Sequence, residues 1–339
     1  MTEHRRTVLL LPGQGAQRER MAAGLYGTEP VFTEHLDRLF TALGARGDRL
    51  RENWLSPAPN PALDEAEAAQ PLLLAVGHAL GRAVEAAAGP PELLLGHSIG
   101  ELAAAALADV LPADRLAVLV DARTGDLDPG TRGGLLAVAA APTDLPPRLG
   151  PGIAVAAVNG PRQTVLAGPS AALDAAADLL RAAGLTVRAL RSGHAFHSPA
   201  LAPAARRFGT ALGDLGLRPP RTTVFSARTA APVRPGEALD PRFWADQLAL
   251  PVRWWPALSA LLDRAGTRPG LLLLDAAPDR SLSTPARRHP AVRSGASVIV
   301  PLLADHRRTG TPADRAAFDA AVALLDAGAG PHRPAARPV

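Results

Sequence analysis

Three consecutive leucines, Leu93–Leu95, run into Gly96-His97-Ser98-Ile99-Gly100, and an alanine-rich stretch continues to Leu107. An apolar run this short, closed by glycine, reads as a buried strand, and the stretch behind it is made of strong helix formers. A strand that turns directly into a helix is the signal of an open α/β sheet. Other segments fit the same plan. Val8–Leu11 is a buried strand stopped by Pro12-Gly13, with Gly13-Gln14-Gly15 as a tight turn. Over 29–51 helical spacing sets Val31, Phe32, Leu36, Leu39, Phe40 and Leu43 on one face, and another helix covers 70–88. Strands at 224–225, 271–274 and 298–303 and a helix over 243–248 follow later in the chain.

The stretch from Gly133 to Arg191 reads differently. Strand-like 135–139, a short helix over 143–149, a hairpin of 153–158 and 164–167 around Asn159-Gly160, a helix over 171–183 and a strand over 185–190 follow one another. That β-α-β-β-α-β order is the ferredoxin-like arrangement, here inserted into a larger unit. The tail, Gly328–Val339, is rich in Pro, Gly and Arg and is expected to be disordered.

Composition narrows the function. The pI near 10.8 suggests a polyanion partner, yet the net charge is only +4, and the sequence has no lysine, so arginine alone sets the pI. The arginines are scattered among acids, and twelve aromatics are few for stacking bases, which argues against nucleic-acid binding. With no cysteine there is no disulfide, thiolate nucleophile or cysteine-bound metal. The apolar run Thr7–Leu11 is too short for a signal peptide, and His78, Arg82, Glu85 and Pro90 interrupt the longer one over 71–95. A cytoplasmic protein without membrane contact is the expectation.

The pentapeptide carries the chemistry. In G-x-S-x-G the turn projects the serine hydroxyl into a cleft, and the helix start offers the Ile99 N–H to a developing oxyanion. A serine hydroxyl needs a base. Of nine histidines, the suggestive ones stand in Gly193-His194-Ala195-Phe196-His197-Ser198-Pro199, at the exit of the insert.

Gly13-Gln14-Gly15-Ala16-Gln17, Gln70-Pro71, Gly96-His97-Ser98-Ile99-Gly100-Glu101, Arg123 and His194-Ala195-Phe196-His197 stand in one order between Thr7 and Leu303. In that order the chain resembles the malonyl-CoA:acyl carrier protein transacylase family, which includes the acyltransferase domains of polyketide synthases. The resemblance implies an α/β-hydrolase-like large domain, residues 1–130 and 192–327, with a ferredoxin-like subdomain at 131–191. It implies Ser98 as nucleophile, His197 as general base and acid, and the backbone N–H groups of Gln14 and Ile99 as oxyanion hole. Arg123, 25 residues after Ser98, would receive the free carboxylate of the substrate, whose geometry the guanidinium fork matches. The Gln247 carbonyl would orient His197, while Gln70, His194 and Phe196 would line the acyl site.

By the same resemblance the donor is an acyl-CoA, and the acceptor is the phosphopantetheine thiol of an acyl carrier protein or a synthase's carrier domain. No cofactor is bound, and the setting is polyketide or fatty acid biosynthesis. His-Ala-Phe-His, with bulky Phe196 and with Ile99 beside Ser98, resembles the malonyl users of the family, a preference of only about 1–3 kcal/mol. Leu274-Asp275-Ala276-Ala277-Pro278-Asp279-Arg280 departs from the family pattern, as does the short link from Arg123 to Gly133. The ends lie close to the first and last strands, so a discrete enzyme acting in trans is expected. Three alternatives stay open: shuttling a different acyl group between carriers, a serine hydrolase, and a non-catalytic scaffold that binds carriers. A hydrolase would want an acid in the triad and an HGGG-type loop, and the sequence has no such loop.

Overall fold

In the computed structural model, which describes residues 6–58, 60–125, 127, 129–305 and 311–326, the apolar runs become strands. These are β1 (Arg6–Leu11), β2 (Leu93–Gly96), β3 (Gly134–Val138), β4 (Ala154–Gly160) and β5 (Gln163–Gly168). They continue with β6 (Val187–Leu190), β7 (Thr223–Ser226), β8 (Ala231–Pro232), β9 (Leu271–Asp275) and β10 (Ser297–Pro301). The large sheet has the order β10-β9-β1-β2-β7-β8. Its strands are parallel except for the short β8. In β1, Leu9 and Leu10 pair with Leu94 and Leu95 on one side and with Leu274 and Asp275 on the other, and Val8–Leu11 are fully buried. Covered on both faces, this strand has no polar alternation to keep, hence its unbroken aliphatic sequence.

The first seven of the α-helices are α1 (Pro30–Ala42), α2 (Ala45–Leu55), α3 (Ala66–Ala88), α4 (Ile99–Leu107), α5 (Leu116–Thr124), α6 (Ser170–Ala182) and α7 (Ala202–Gly213). The single helix expected over 29–51 is two, because Gly44 takes a left-handed φ of 58° and breaks it. The helix expected from Gln70 starts earlier, at Ala66, and holds Pro71 inside it. Pro71 has no N–H for the Glu67 carbonyl one turn back, and Arg46 Nη2 donates to that carbonyl instead, at 2.7 Å.

Inserted between α5 and α7, the small sheet runs β4-β5-β3-β6, all antiparallel, over its own core of Leu136, Val138, Leu166, Leu173 and Leu180. The chain thus combines an α/β-hydrolase-like large unit with a ferredoxin-like insert. The helix expected over 143–149 is only a 3₁₀ turn at Pro142–Asp144, since Pro146 and Pro147 supply no N–H to continue it. The hairpin turns at Pro161-Arg162; Asn159 and Gly160 belong to β4. Gly328–Val339, expected to be disordered, lies outside the described residues. Among the described residues no helix is long and apolar enough to cross a membrane.

The pentapeptide glycines serve close approach. A Cβ on Gly96 would lie 2.2 Å from the Gly100 carbonyl oxygen, and one on Gly100 would lie 2.3 Å from the Leu11 oxygen at the end of β1. Both neighbours are backbone and cannot swing aside. Gly100→Ala is therefore expected to lower stability by about 3 kcal/mol or more, as severe overpacking does, read as the shift of a denaturant midpoint. An unchanged midpoint would show that the turn can relax.

Candidate active site

The turn between β2 and α4 places Ser98 at the C-terminal edge of the large sheet, where open α/β sheets bind their ligands. Ser98 holds φ 53° and ψ −119°, a left-handed backbone that costs a non-glycine residue about 1–3 kcal/mol. His197 holds φ 63°. Ser98 Oγ and His197 Nε2 are 2.8 Å apart. His197 Nδ1 lies 2.6 Å from the Gln247 carbonyl and 3.1 Å from the Leu250 carbonyl, while its backbone N–H donates to the Leu248 carbonyl at 2.8 Å. Two carbonyls facing Nδ1 keep the proton there, so Nε2 presents a lone pair to the hydroxyl. Among the described residues, carbonyls rather than a carboxylate take the third place.

Burial lowers the His197 pKa to about 3, helped by His97 and Arg123 nearby, so the imidazole is neutral at pH 7. Behind it, Arg123 at the end of α5 is 1% exposed. Its Nε donates to Gln70 Oε1 at 2.7 Å, Gln70 Nε2 to Gln14 Oε1 at 3.1 Å, and Gln14 Nε2 to the Asp64 carbonyl at 3.2 Å. Nη1 and Nη2 of Arg123 are buried and have no hydrogen-bond partner among the described residues. The guanidinium carbon sits 5.7 Å from the centre of the Phe208 ring. Burial lowers the Arg123 pKa to about 9, against the opposing pull of Glu101, so it remains a cation at pH 7. An unpaired buried cation is costly, and a bound anion would remove that cost.

A cleft of about 480 Å³ opens over this group, with Gln14, Gln70, His97, Ser98, Phe196 and His197 in its walls. Gln70 stands between the cleft and Arg123, which is not itself in the wall. His194 also lies outside it, its Nδ1 2.7 Å from Thr131 Oγ1 and its ring 5.6 Å from that of Phe196. Ile99 is fully buried at the start of α4. Asp64, His97, Asn159 and Arg191 also line the cleft, and no role for them was evident from the sequence. Asp64 joins Arg191 of the insert at 2.7 Å and Gln17 at 3.2 Å. Of these four, only His97 carried a signal, as the neighbour of Ser98. Among the described residues no group of acids and histidines is placed to hold a metal ion.

Other buried titratable groups set the pH response. Burial lowers the pKa of His78, like that of His197, to about 3, while it raises Glu101 to about 7 and Asp275 to about 6. In the unfolded chain a histidine gains its proton below pH 6.5 and the fold refuses it, so both histidines withdraw stability from 6.5 downward. The carboxyls act oppositely, keeping protons that the unfolded chain has released and adding stability as pH falls from about 7 toward 4. The melting temperature is expected to stay nearly level from pH 7 toward about 4 and to fall below that, where only the histidine penalty grows. Glu101→Gln, lacking one compensating proton, is expected to lose stability already between pH 7 and 5 in thermal melts.

The fold sets a serine hydroxyl against an imidazole at the rim of a cleft, and comparison with known proteins shows the family. The acyl transferase domain family matches residues 8–269, and the chain belongs to that family. A phenolphthiocerol/phthiocerol polyketide synthase of Mycobacterium tuberculosis is 35% identical over 289 residues, covering 84% of this chain but only 19% of that protein. The solved acyl transferase domain of SpnD, in complex with 2-(pent-4-yn-1-yl)malonyl, superposes with a TM-score of 0.85 at 30% identity, covering 96% of this chain and 78% of that one. The malonyl CoA-acyl carrier protein transacylase of Coxiella burnetii superposes with a TM-score of 0.79 at 26% identity, covering 94% and 98%. The protein is an acyltransferase of the type found in polyketide synthases and in malonyl-CoA:acyl carrier protein transacylases.

Proposed function

We infer that the protein moves a malonyl group from coenzyme A to the phosphopantetheine thiol of a carrier protein, through an ester on Ser98. The observation that carries this reading is the buried Arg123 fork with two unpartnered nitrogens, behind a serine 2.8 Å from a neutral imidazole. An acyl group that ends in a carboxylate supplies the missing partner, and an acetyl group does not. The substituted malonyl ligand of the SpnD domain supports an acyl group of this class, and the malonyl CoA named for the Coxiella enzyme supports malonyl itself.

In the first half-reaction His197 Nε2 takes the Ser98 proton as Oγ attacks the thioester carbonyl, and the N–H groups of Gln14 and Ile99 receive the oxyanion. Collapse expels the coenzyme A thiolate, which His197 protonates. The carrier thiol then gives its proton to His197 and attacks the seryl ester. Ser98 Oγ leaves and regains its proton from the imidazole. Coenzyme A and the carrier are substrates in this scheme, no cofactor stays bound, and a cytoplasmic setting suits both.

The test is intact-protein mass spectrometry after incubation with a panel of acyl-CoAs. Malonyl is expected to be the principal adduct, on the peptide containing Ser98, and to leave when a holo carrier protein is added. Initial rates with both substrates varied are expected to give parallel double-reciprocal lines. An adduct of another acyl group, or intersecting lines, would replace the reading.

A further inference from the structure

Strand β4 of the insert touches both members of the hydroxyl–imidazole pair indirectly, and it does so at its two irregular points. Its register against β5 shifts between Val155 and Ala157 and again between Val158 and Gly160, which leaves Ala156 and Asn159 out of the ladder. Bulges of this kind re-aim groups out of a sheet. Here Ala156 and Asn159, with the in-register Val158 between them, face the large unit. The Ala156 carbonyl accepts from Val252 N–H at 2.9 Å, and Val158 N–H donates to the Val252 carbonyl at 2.8 Å. Val252 lies two residues beyond Leu250, whose carbonyl faces His197 Nδ1. Asn159 Oδ1 lies 2.9 Å from Nε2 of His97, the residue before Ser98.

The His97 ring is held on its other sides as well. It lies 5.7 Å from the Trp254 ring, and its Nδ1 is 2.7 Å from where a Gly13 side chain would begin. Asn159 therefore supplies the polar tether that reaches this ring from the insert.

We propose that Asn159 is a positioning residue for Ser98, acting through His97, and that the two bulges make β4 a splint across the pair. One end fixes the loop that holds the imidazole, the other fixes the turn that holds the hydroxyl, and the splint sets the distance between them. This rests on the reading of Ser98 and His197 as the reacting pair. Asn159 also lines the cleft, so the experiment has to separate positioning from substrate contact.

A fluorophosphonate probe reports the reactivity of Ser98 without any acyl-CoA. Wild type is expected to be labelled on Ser98, and Asn159→Ala to be labelled between about ten and a hundred times more slowly, the scale of a small misplacement of a reacting group. The KM for malonyl-CoA is expected to stay unchanged while kcat falls. Asn159→Asp, which keeps an acceptor oxygen at the same reach, is expected to label at close to the wild-type rate. In a His97→Phe background Asn159→Ala is expected to add no further loss, because the tether is already cut. Normal labelling of Asn159→Ala, a loss confined to KM, failure of Asn159→Asp to rescue, or full additivity with His97→Phe would overturn the proposal. Wild type that resists labelling at Ser98 would instead overturn the reading of the reacting pair.

Discussion

Ser98→Ala is expected to gain no acyl mass from any acyl-CoA and to lose transfer to background, while its thermal melt stays close to wild type. The hydroxyl is the only group removed, and an alanine at φ 53° bears the same backbone cost as the serine. His197→Ala is expected to lose almost as much, by several orders of magnitude in both half-reactions, because in the proposed scheme one imidazole takes and returns every proton. The double variant should be scarcely slower than either single one, since the two side chains act as a unit. Mass spectra of the single variants decide the matter. A covalent adduct on Ser98→Ala would move the ester elsewhere, and wild-type acylation by His197→Ala would remove the base from the scheme.

Arg123→Ala carries the substrate assignment. If its fork binds a carboxylate away from water, leaving that carboxylate unpaired costs about 3–5 kcal/mol, or two to four orders of magnitude in malonyl transfer. Acetyl-CoA, with no charge on its acyl end, should be handled as well as by wild type or better. The comparison is made between two donors on one variant, so a general loss of folding cannot imitate it. The structure adds a condition. Gln70 lies between Arg123 and the cleft, its amide oxygen on Arg123 Nε and its amide nitrogen on Gln14. That hydrogen bond occupies Nε and leaves Nη1 and Nη2 for the ligand. If wild type loads acetyl and malonyl alike, and the variant treats them alike, Arg123 has only a structural role.

Local pattern made much of this legible. Helix α4 runs from Ile99 to Leu107 as its alanine-rich sequence indicates, and the strands around β1 announce themselves by unbroken aliphatic runs. Ser98 and His197 stood out because each sits in a glycine- or proline-framed turn. What escaped depended on partners far along the chain. The Leu250 carbonyl reaches His197 across 53 residues, Asn159 reaches His97 across 62, and Arg191 reaches Asp64 across 127. Asn159-Gly160 looked like a turn because nothing in a dipeptide tells a hairpin bend from a bulge just before one. The helix missing at 143–149 was foreshadowed by Pro146-Pro147, whose effect outweighed the spacing of the apolar residues.

The pairing of Val252 with β4 also bears on grafting. In an exchange of the insert between related acyltransferases, the natural cut points flank the small sheet. A cut there separates Ala156 and Val158 from the backbone they bind in the 247–252 segment. A chimaera that takes the donor's insert but keeps the host's 247–252 inherits a seam whose halves were shaped in different proteins. Transplanting that six-residue segment together with the insert keeps the seam whole, so the unit of exchange here is two stretches of chain that meet only in space.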